Sequence, residues 1–194
     1  MNPFSPPHVH ATLRDFLAKR ERQILTPAGF RRAAVLVPLI EEGGETNLLF
    51  TRRTEIVETH KGQISFPGGV VDHGDRDLVH TALRETFEEV GIPGSSIEVL
   101  GILDDLVTPI GFVISPVVGF IRVLPGVVPS EAEVAEVFQV PLMFFAGAKN
   151  ARVEYREAGG RKYDVWYYDT GSYVIWGATA KMIRMLLGGL GLAQ

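Results

Sequence analysis

Gly68-Gly69-Val70-Val71-Asp72-His73-Gly74-Asp75-Arg76-Asp77, then an apolar-periodic run, then Arg84-Glu85-Thr86-Phe87-Glu88-Glu89-Val90-Gly91-Ile92: the reading of this stretch decides the rest. Its first half is a glycine-rich acidic turn. In its second half Val79, Ala82, Leu83, Thr86 and Val90 recur at helical spacing and predict a buried stripe. At roughly 100° per residue, Glu88, Glu85 and Glu89 fall within an arc of about 100°. Asp75 or Asp77 is placed to cap this helix, and Gly91 followed by Pro93 to end it. Three carboxylates so close repel one another, because like charges three and four residues apart are unfavourable. A divalent cation removes that cost, and hard ions such as Mg²⁺ take oxygen ligands, often carboxylates together with substrate phosphates. The plainer reading of an isolated Glu-x-x-Glu-Glu is a solvated acidic face. The glycine turn before it and the Arg-Glu pair inside it favour a metal site.

Composition sets the wider bounds. At 194 residues the chain fits one domain with terminal embellishments, and 46% hydrophobic residues suffice for a substantial core. A net charge of −4 offers no basic footprint for nucleic acid. The absence of cysteine excludes disulfides and thiolate metal sites and suits a reducing cytoplasm. Met1-Asn2-Pro3-Phe4-Ser5-Pro6-Pro7 lacks the basic and apolar regions of a secretory leader. No apolar run reaches the ~20 residues that span a bilayer. The expectation is a cytoplasmic protein with neither a membrane nor a nucleic-acid partner.

Along the chain, residues 1–10 read as extended or loose, and Thr12 to Gln23 as a helix capped by Thr12. Ala33 to Ile40 and Asn47 to Thr51 read as paired strands, and Ile64-Ser65-Phe66 as a strand delivering Gly68-Gly69. Between them, Arg52 to Ser65 carries Arg52, Arg53, His60 and Lys61, either an exposed loop or a phosphate-binding segment. Ile97 to Leu103 is strand-like, and Asp104-Asp105 read as turn residues. A loop at Thr108–Phe112 and a strand near Val117–Arg122 follow. Ser130 to Glu136 reads as an acidic turn or loop, from which Glu131, Glu133 or Glu136 could approach the metal site. Val137–Leu142 is a short strand, Ala151–Glu157 and Tyr163–Asp169 form a hairpin, and Trp176–Leu187 is a terminal helix.

The opening stretch resembles the Nudix box: Gly, five residues, Glu, seven residues, then Arg-Glu-apolar-any-Glu-Glu-any-Gly-apolar. Arg84, Glu85, Glu88, Glu89, Gly91 and Ile92 match it. Thr86 replaces an aliphatic residue, and the interval from Gly69 to Arg84 is one residue longer than the pattern. The extra residue falls in the His73–Asp77 turn, where loops absorb insertions. Counting forward from Gly69 puts Asp75, not Asp77, in the acidic position, either capping the helix or reaching Arg84.

Leu48-Leu49-Phe50-Thr51-Arg52-Arg53-Thr54, with Gly62 and Phe66-Pro67-Gly68-Gly69, resembles the signature that precedes the box in coenzyme A pyrophosphatases. Thr54 and Glu58 depart from it. Thr108-Pro109-Ile110-Gly111-Phe112, Pro116–Gly119 and Ile175-Trp176-Gly177-Ala178-Thr179-Ala180 look like the same subgroup. The resemblance implies an α/β/α sandwich with a mixed sheet. It divides the chain into residues 1–30, an N-terminal extension and helix packed on the domain, and residues 31–194, the hydrolase domain. It implies hydrolysis of coenzyme A to 3′,5′-ADP and 4′-phosphopantetheine with Mg²⁺ or Mn²⁺, by a monomer or homodimer. Glu85, Glu88, Glu89 and the Gly69 backbone are its expected metal ligands. Arg84 orients the carboxylates, and Arg53, Arg52, Lys61, Phe66, Gly68 and Gly69 meet the substrate. Action on ADP-ribose, a nucleotide sugar or a damaged nucleotide is the alternative. A non-catalytic interaction domain is disfavoured, since an unused acidic cluster only costs stability.

Overall fold

The computed structural model describes residues 2–54, 62–158 and 161–193, with Ala158 and Arg161 described by backbone alone. Glu58, His60 and Lys61 lie outside the described residues. The chain opens with α1 (Pro6–Lys19), β1 (Arg31–Glu42), β2 (Glu45–Arg53), β3 (Ile64–Ser65) and β4 (Gly68–Val70). Then come α2 (Leu78–Val90), β5 (Glu98–Ile102), β6 (Leu106–Val107), β7 (Phe112–Ile121), β8 (Val134–Pro141) and α3 (Leu142–Ala146). It ends with β9 (Ala151–Ala158), β10 (Arg161–Asp169), β11 (Val174–Trp176) and α4 (Gly177–Gly189).

The main sheet runs β3-β2-β1-β7-β5, with β4 on β1, β6 on β7 and β8 on β2. β1 and β7 are parallel and the other pairs antiparallel, so the sheet is mixed. Alternation along β1 explains the layers, because successive side chains in a strand point to opposite faces. Ala34, Leu36 and Ile40 pack with Ala82 and Val90 of α2. Val35, Val37 and Leu39 pack with Val9 and Leu13 of α1 and with Ile183 and Leu186 of α4. The result is an α/β/α sandwich, and the 9-10-11 hairpin sheet lies beside it.

Four expectations change. The first helix begins at Pro6 rather than Thr12, with prolines in its first turn. Proline is favoured there, where its missing N–H costs no helical bond, so Pro6-Pro7 open the helix and put Val9 into the core. β7 runs straight through Pro116 and Gly119 and starts at Phe112, five residues before the expected strand. The carbonyl of Pro116 still accepts from the Leu103 N–H at 2.9 Å. Glu136, expected in a loop, stands in β8 opposite Arg52.

Asp105 is not a turn residue. Its fully buried carboxylate receives the Arg32 guanidinium at 2.6 Å, the Leu25 N–H at 2.9 Å and the Ser115 hydroxyl at 2.8 Å, and pairs with Arg22. Burial alone would raise its pKa, but these donors together hold it below the ordinary carboxylate value. The irregular segment before β1 is fastened to the sheet through this side chain and through its neighbour Asp104, which accepts the Gln23 N–H at 2.7 Å.

Candidate active site

The site is built on α2. The Asp77 carboxylate caps the helix by accepting the His80 N–H at 2.7 Å. Gly91, at φ 72°, closes its other end with an N–H bond to the Phe87 carbonyl. Thr86, where an aliphatic residue was expected, is fully buried, and its hydroxyl donates to the Ala82 carbonyl at 2.7 Å. A buried hydroxyl needs a partner, and the helix supplies one without loss of the packing face.

Asp75 takes the second of its two expected roles. It accepts from Arg84 Nε and Nη2 at 2.9 Å each, from the Thr81 hydroxyl at 2.9 Å and from the Asp72 N–H at 2.9 Å. The Arg84 hydrogen bonds hold its carboxyl far below the usual range, and Arg84 is raised in turn. The same guanidinium donates to Glu85 at 2.8 Å and to Glu88 at 3.0 Å. Arg84 thus fixes two carboxylates of the helix while itself held by a third, a fork geometry particular to arginine.

Glu85 and Glu89 face a cavity of about 410 Å³ under β4. A Cβ on Gly69 would lie 2.5 Å from the Glu85 carboxyl carbon and 2.6 Å from both its oxygens. Only a residue without a side chain lets the strand come this close. Next to it, the Gly68 N–H donates to Glu89 at 3.2 Å. Glu89 is 5% exposed, and burial pushes its pKa up to about 7 against the opposing pull of that N–H and of Arg53. Burial raises Glu85 as well. Neighbouring carboxylates, Glu133 among them, push both the same way.

The remaining expected residues separate. Arg53 lines the cavity with a guanidinium nitrogen 3.8 Å from Glu89. Phe66 lines it too, while stacking on Phe50 in the core at 4.9 Å. Arg52 is turned to Glu136, 3.0 Å away, and is not part of the cavity wall. Lys61 lies outside the described residues. Glu88 is half exposed and pairs with Arg84 at the cavity's edge rather than in its wall.

Of the three glutamates left open, Glu133 lines the cavity, Glu131 does not, and Glu136 is taken up by Arg52 and the Tyr173 hydroxyl. Glu133 is brought there by tertiary contacts. The Thr54 N–H donates to its carbonyl at 3.0 Å, the Thr54 hydroxyl to the Ala132 carbonyl at 3.1 Å, and the Ser130 N–H to the Glu89 carbonyl at 2.9 Å. Thr54, one of the departures from the subgroup signature, therefore ties down the turn that carries Glu133.

The donor set suits a hard divalent ion. It is all oxygen, it clusters carboxylates whose burial and mutual repulsion outweigh the pull of Arg84, Arg53 and the Gly68 N–H, and the Gly68-Gly69 backbone comes up against it. Among the described residues no three carboxylate or imidazole groups converge closely enough to cage an ion by themselves. An ion held by Glu85 and Glu89 would complete its shell with water and substrate phosphate, the usual arrangement for Mg²⁺.

Comparison with known proteins agrees with this geometry. A family profile described as the NUDIX domain matches residues 30–154. The chain is 41% identical over 188 residues to an uncharacterized Nudix hydrolase NudL from Pectobacterium atrosepticum, covering 93% of this chain and 95% of that one. It is 40% identical over 183 residues to an uncharacterized NudL from Citrobacter koseri, covering 90% and 93%. A solved MutT/nudix family protein from Enterococcus faecalis shares the fold at a TM-score of 0.51 and 15% identity, over 93% of this chain and 74% of that one.

Proposed function

The chain belongs to the Nudix family and is a hydrolase of the pyrophosphatase type, and on that premise we propose that its substrate is coenzyme A. The reaction splits the diphosphate bond of coenzyme A, or of its derivatives, to 3′,5′-ADP and 4′-phosphopantetheine. The observation that carries this reading is the cavity wall itself. Its lining combines carboxylates and Arg53 with the apolar Phe112, Ile114 and Met182. A diphosphate suits the former and a mostly neutral arm the latter.

Mg²⁺ or Mn²⁺ bound at Glu85 and Glu89 would neutralise the diphosphate and make water a better nucleophile. The protein's own groups do the rest. Glu133, which lines the same cavity from outside the helix, is the carboxylate placed to orient a water or accept its proton. Arg53 contacts a phosphate oxygen, and Arg84 positions Glu85 and Glu88 without touching substrate. Glu88 acts from the edge, through a water. Residues 1–30 form an extension on a hydrolase domain of residues 31–194, held by Asp105 through Arg22 and Leu25. The reading carries with it a cytoplasmic monomer or homodimer with no nucleic-acid or membrane partner. Among the described residues no helix is long and apolar enough to cross a membrane.

The test measures kcat/KM for coenzyme A and for ADP-ribose with Mg²⁺, in the parent and in Arg53→Ala. A charge-assisted hydrogen bond contributes about 1.5–3 kcal/mol. The parent should prefer coenzyme A, and Arg53→Ala should lower kcat/KM on both substrates, because both present a diphosphate to it. Preference of the parent for ADP-ribose would sink the coenzyme A reading. Parental kcat/KM on both substrates in Arg53→Ala would remove Arg53 from phosphate binding.

A further inference from the structure

A second cavity, of about 480 Å³, adjoins the first. Thr108 and Ala178 line both. The wall between them is therefore the Thr108–Phe112 turn and the first turn of α4, two stretches the box chemistry leaves without a role. The turn is closed on itself, since the Thr108 hydroxyl accepts the Phe112 N–H at 3.1 Å and the Gly111 N–H donates to the Thr108 carbonyl at 3.2 Å.

The two cavities have opposite electrostatic character. The first carries Glu85, Glu89 and Glu133 against Arg53. The second carries Lys162 and Lys181 against Asp164. Neither lysine forms a hydrogen bond or ion pair among the described residues. Asp164 accepts the Trp166 indole N–H at 2.6 Å; that bond, with Lys181 and Arg184 nearby, keeps its pKa below the ordinary value. Asp164 thus stays ionised and leaves the wall with one net positive charge. Tyr163 and Phe30 add aromatic rings to the same wall.

We propose that the second cavity binds a phosphorylated nucleoside, Lys162 and Lys181 taking a phosphate monoester that the cleaved diphosphate does not include. The inference rests on the coenzyme A reading, in which the substrate carries such a group as its ribose 3′-phosphate. Of the cations expected for it between Arg52 and Lys61, the two in the described residues are engaged elsewhere: Arg52 is bound to Glu136 and Arg53 faces Glu89. The other half of the substrate, the pantetheine arm, is neutral and has no use for two ammonium groups. The nucleoside has one, and its base has flat faces that aromatic rings can stack on. The two cavities adjoin, so the diphosphate can lie over the carboxylates while the bisphosphorylated nucleoside reaches past Thr108 and Ala178.

The experiment compares coenzyme A with 3′-dephospho-coenzyme A in the parent protein and in the K162A/K181A double variant. Both lysines are exposed, so screening by water keeps the effect moderate. The expected result is a preference of roughly tenfold in kcat/KM for coenzyme A, carried by KM. The double variant should bring coenzyme A down to the level of the dephospho form. Equal use of both substrates by the parent overturns this inference and leaves the coenzyme A reading standing. Equal loss on both substrates in the double variant also overturns it, because the lysines then act on a part that both substrates share. Cleavage of neither substrate by the parent overturns the coenzyme A reading, and this inference with it.

Discussion

Gly69→Ala is the sharpest probe of the site, because its effect can be worked from distances. The new Cβ would stand 2.5 Å from the Glu85 carboxyl carbon, while ordinary contact begins at 3.4 Å. One of the two must move by about 1 Å. Glu85 cannot simply swing aside: Arg84 holds it at 2.8 Å, and Asp75 holds Arg84 by two bonds of 2.9 Å. The strand cannot easily retreat either, since Gly68 and Gly69 are paired with Val35 and Ala34 of β1. A displacement of about 1 Å at a reacting group can cost on the order of 10²-fold in rate. Overpacking of a core costs about 1–3 kcal/mol, and a site open to a cavity on one side should fall at the low end. The expected outcome is a folded protein with kcat/KM about a hundredfold lower and a higher Mg²⁺ requirement. Steady-state release of 4′-phosphopantetheine over a Mg²⁺ series measures the rate and the Mg²⁺ requirement, and thermal melting checks that the variant is folded. Gly74→Ala is the control, because a Cβ there meets nothing nearer than an Asp72 oxygen at 3.8 Å. Near-parental turnover of Gly69→Ala at the same Mg²⁺ requirement would refute the claim that this contact sets the position of Glu85.

Glu89→Gln keeps the Gly68 contact and removes a charge, so it should melt like the parent while turnover falls by orders of magnitude; normal turnover at saturating Mg²⁺ would remove Glu89 from the mechanism. Asp75→Asn breaks a pair whose carboxylate is 1% exposed and whose guanidinium is 25% exposed, and should cost about 2–3 kcal/mol after allowance for that exposure, whereas Asp77→Ala should cost only the ~1 kcal/mol of a helix cap and leave turnover alone. The pKa of folded Asp75 lies below its ordinary value of 3.8. Its contribution is therefore complete above that value and is lost as pH falls through and below it. The parent and Asp75→Asn should accordingly converge in stability progressively as pH falls below 3.8, and a gap that does not narrow at all below that value would contradict the pairing.

Single elements could be read from the chain because their signals are local, whereas their stacking as a sandwich came only as what the Nudix resemblance implied. The apolar run of β1 and the stripe on α2 are properties of neighbours in sequence, but the run does not say which side chains face which layer. What escaped was decided by contacts at a distance. Pro6-Pro7 look like a loose terminus until α1 is seen to bury Val9 and Leu13. Pro116 and Gly119 look like breakers until β7 is flanked by β1 and β5. Asp105 draws its donors from Arg22, Leu25, Arg32 and Ser115, none of them near it in sequence. In the site, Glu85 and Glu89 stand one turn apart, and spacing alone brings them together. Glu133 could not be told from Glu131 or Glu136, since what selects it is a backbone bond from Thr54, some eighty residues earlier.

The lengthened turn shows how a departure in spacing becomes intelligible in three dimensions. Counting forward from Gly69 gave Asp75 one position with two jobs, capping the helix or reaching Arg84. The extra residue lets the turn fold back, the Asp75 N–H on the Asp72 carbonyl and the Asp72 N–H on the Asp75 carboxylate. That aims Asp75 inward, under Arg84, and leaves the next aspartate, Asp77, at the helix start. The jobs are then divided: Asp77 caps through the His80 N–H, and Asp75 is free to clamp the guanidinium that in turn places Glu85. A single aspartate could not do both, because a cap must point along the helix axis at its first N–H groups, whereas Arg84 lies nearly two turns further along. The inserted residue therefore leaves the catalytic helix undisturbed and gives it separate anchors for its end and for its chemistry.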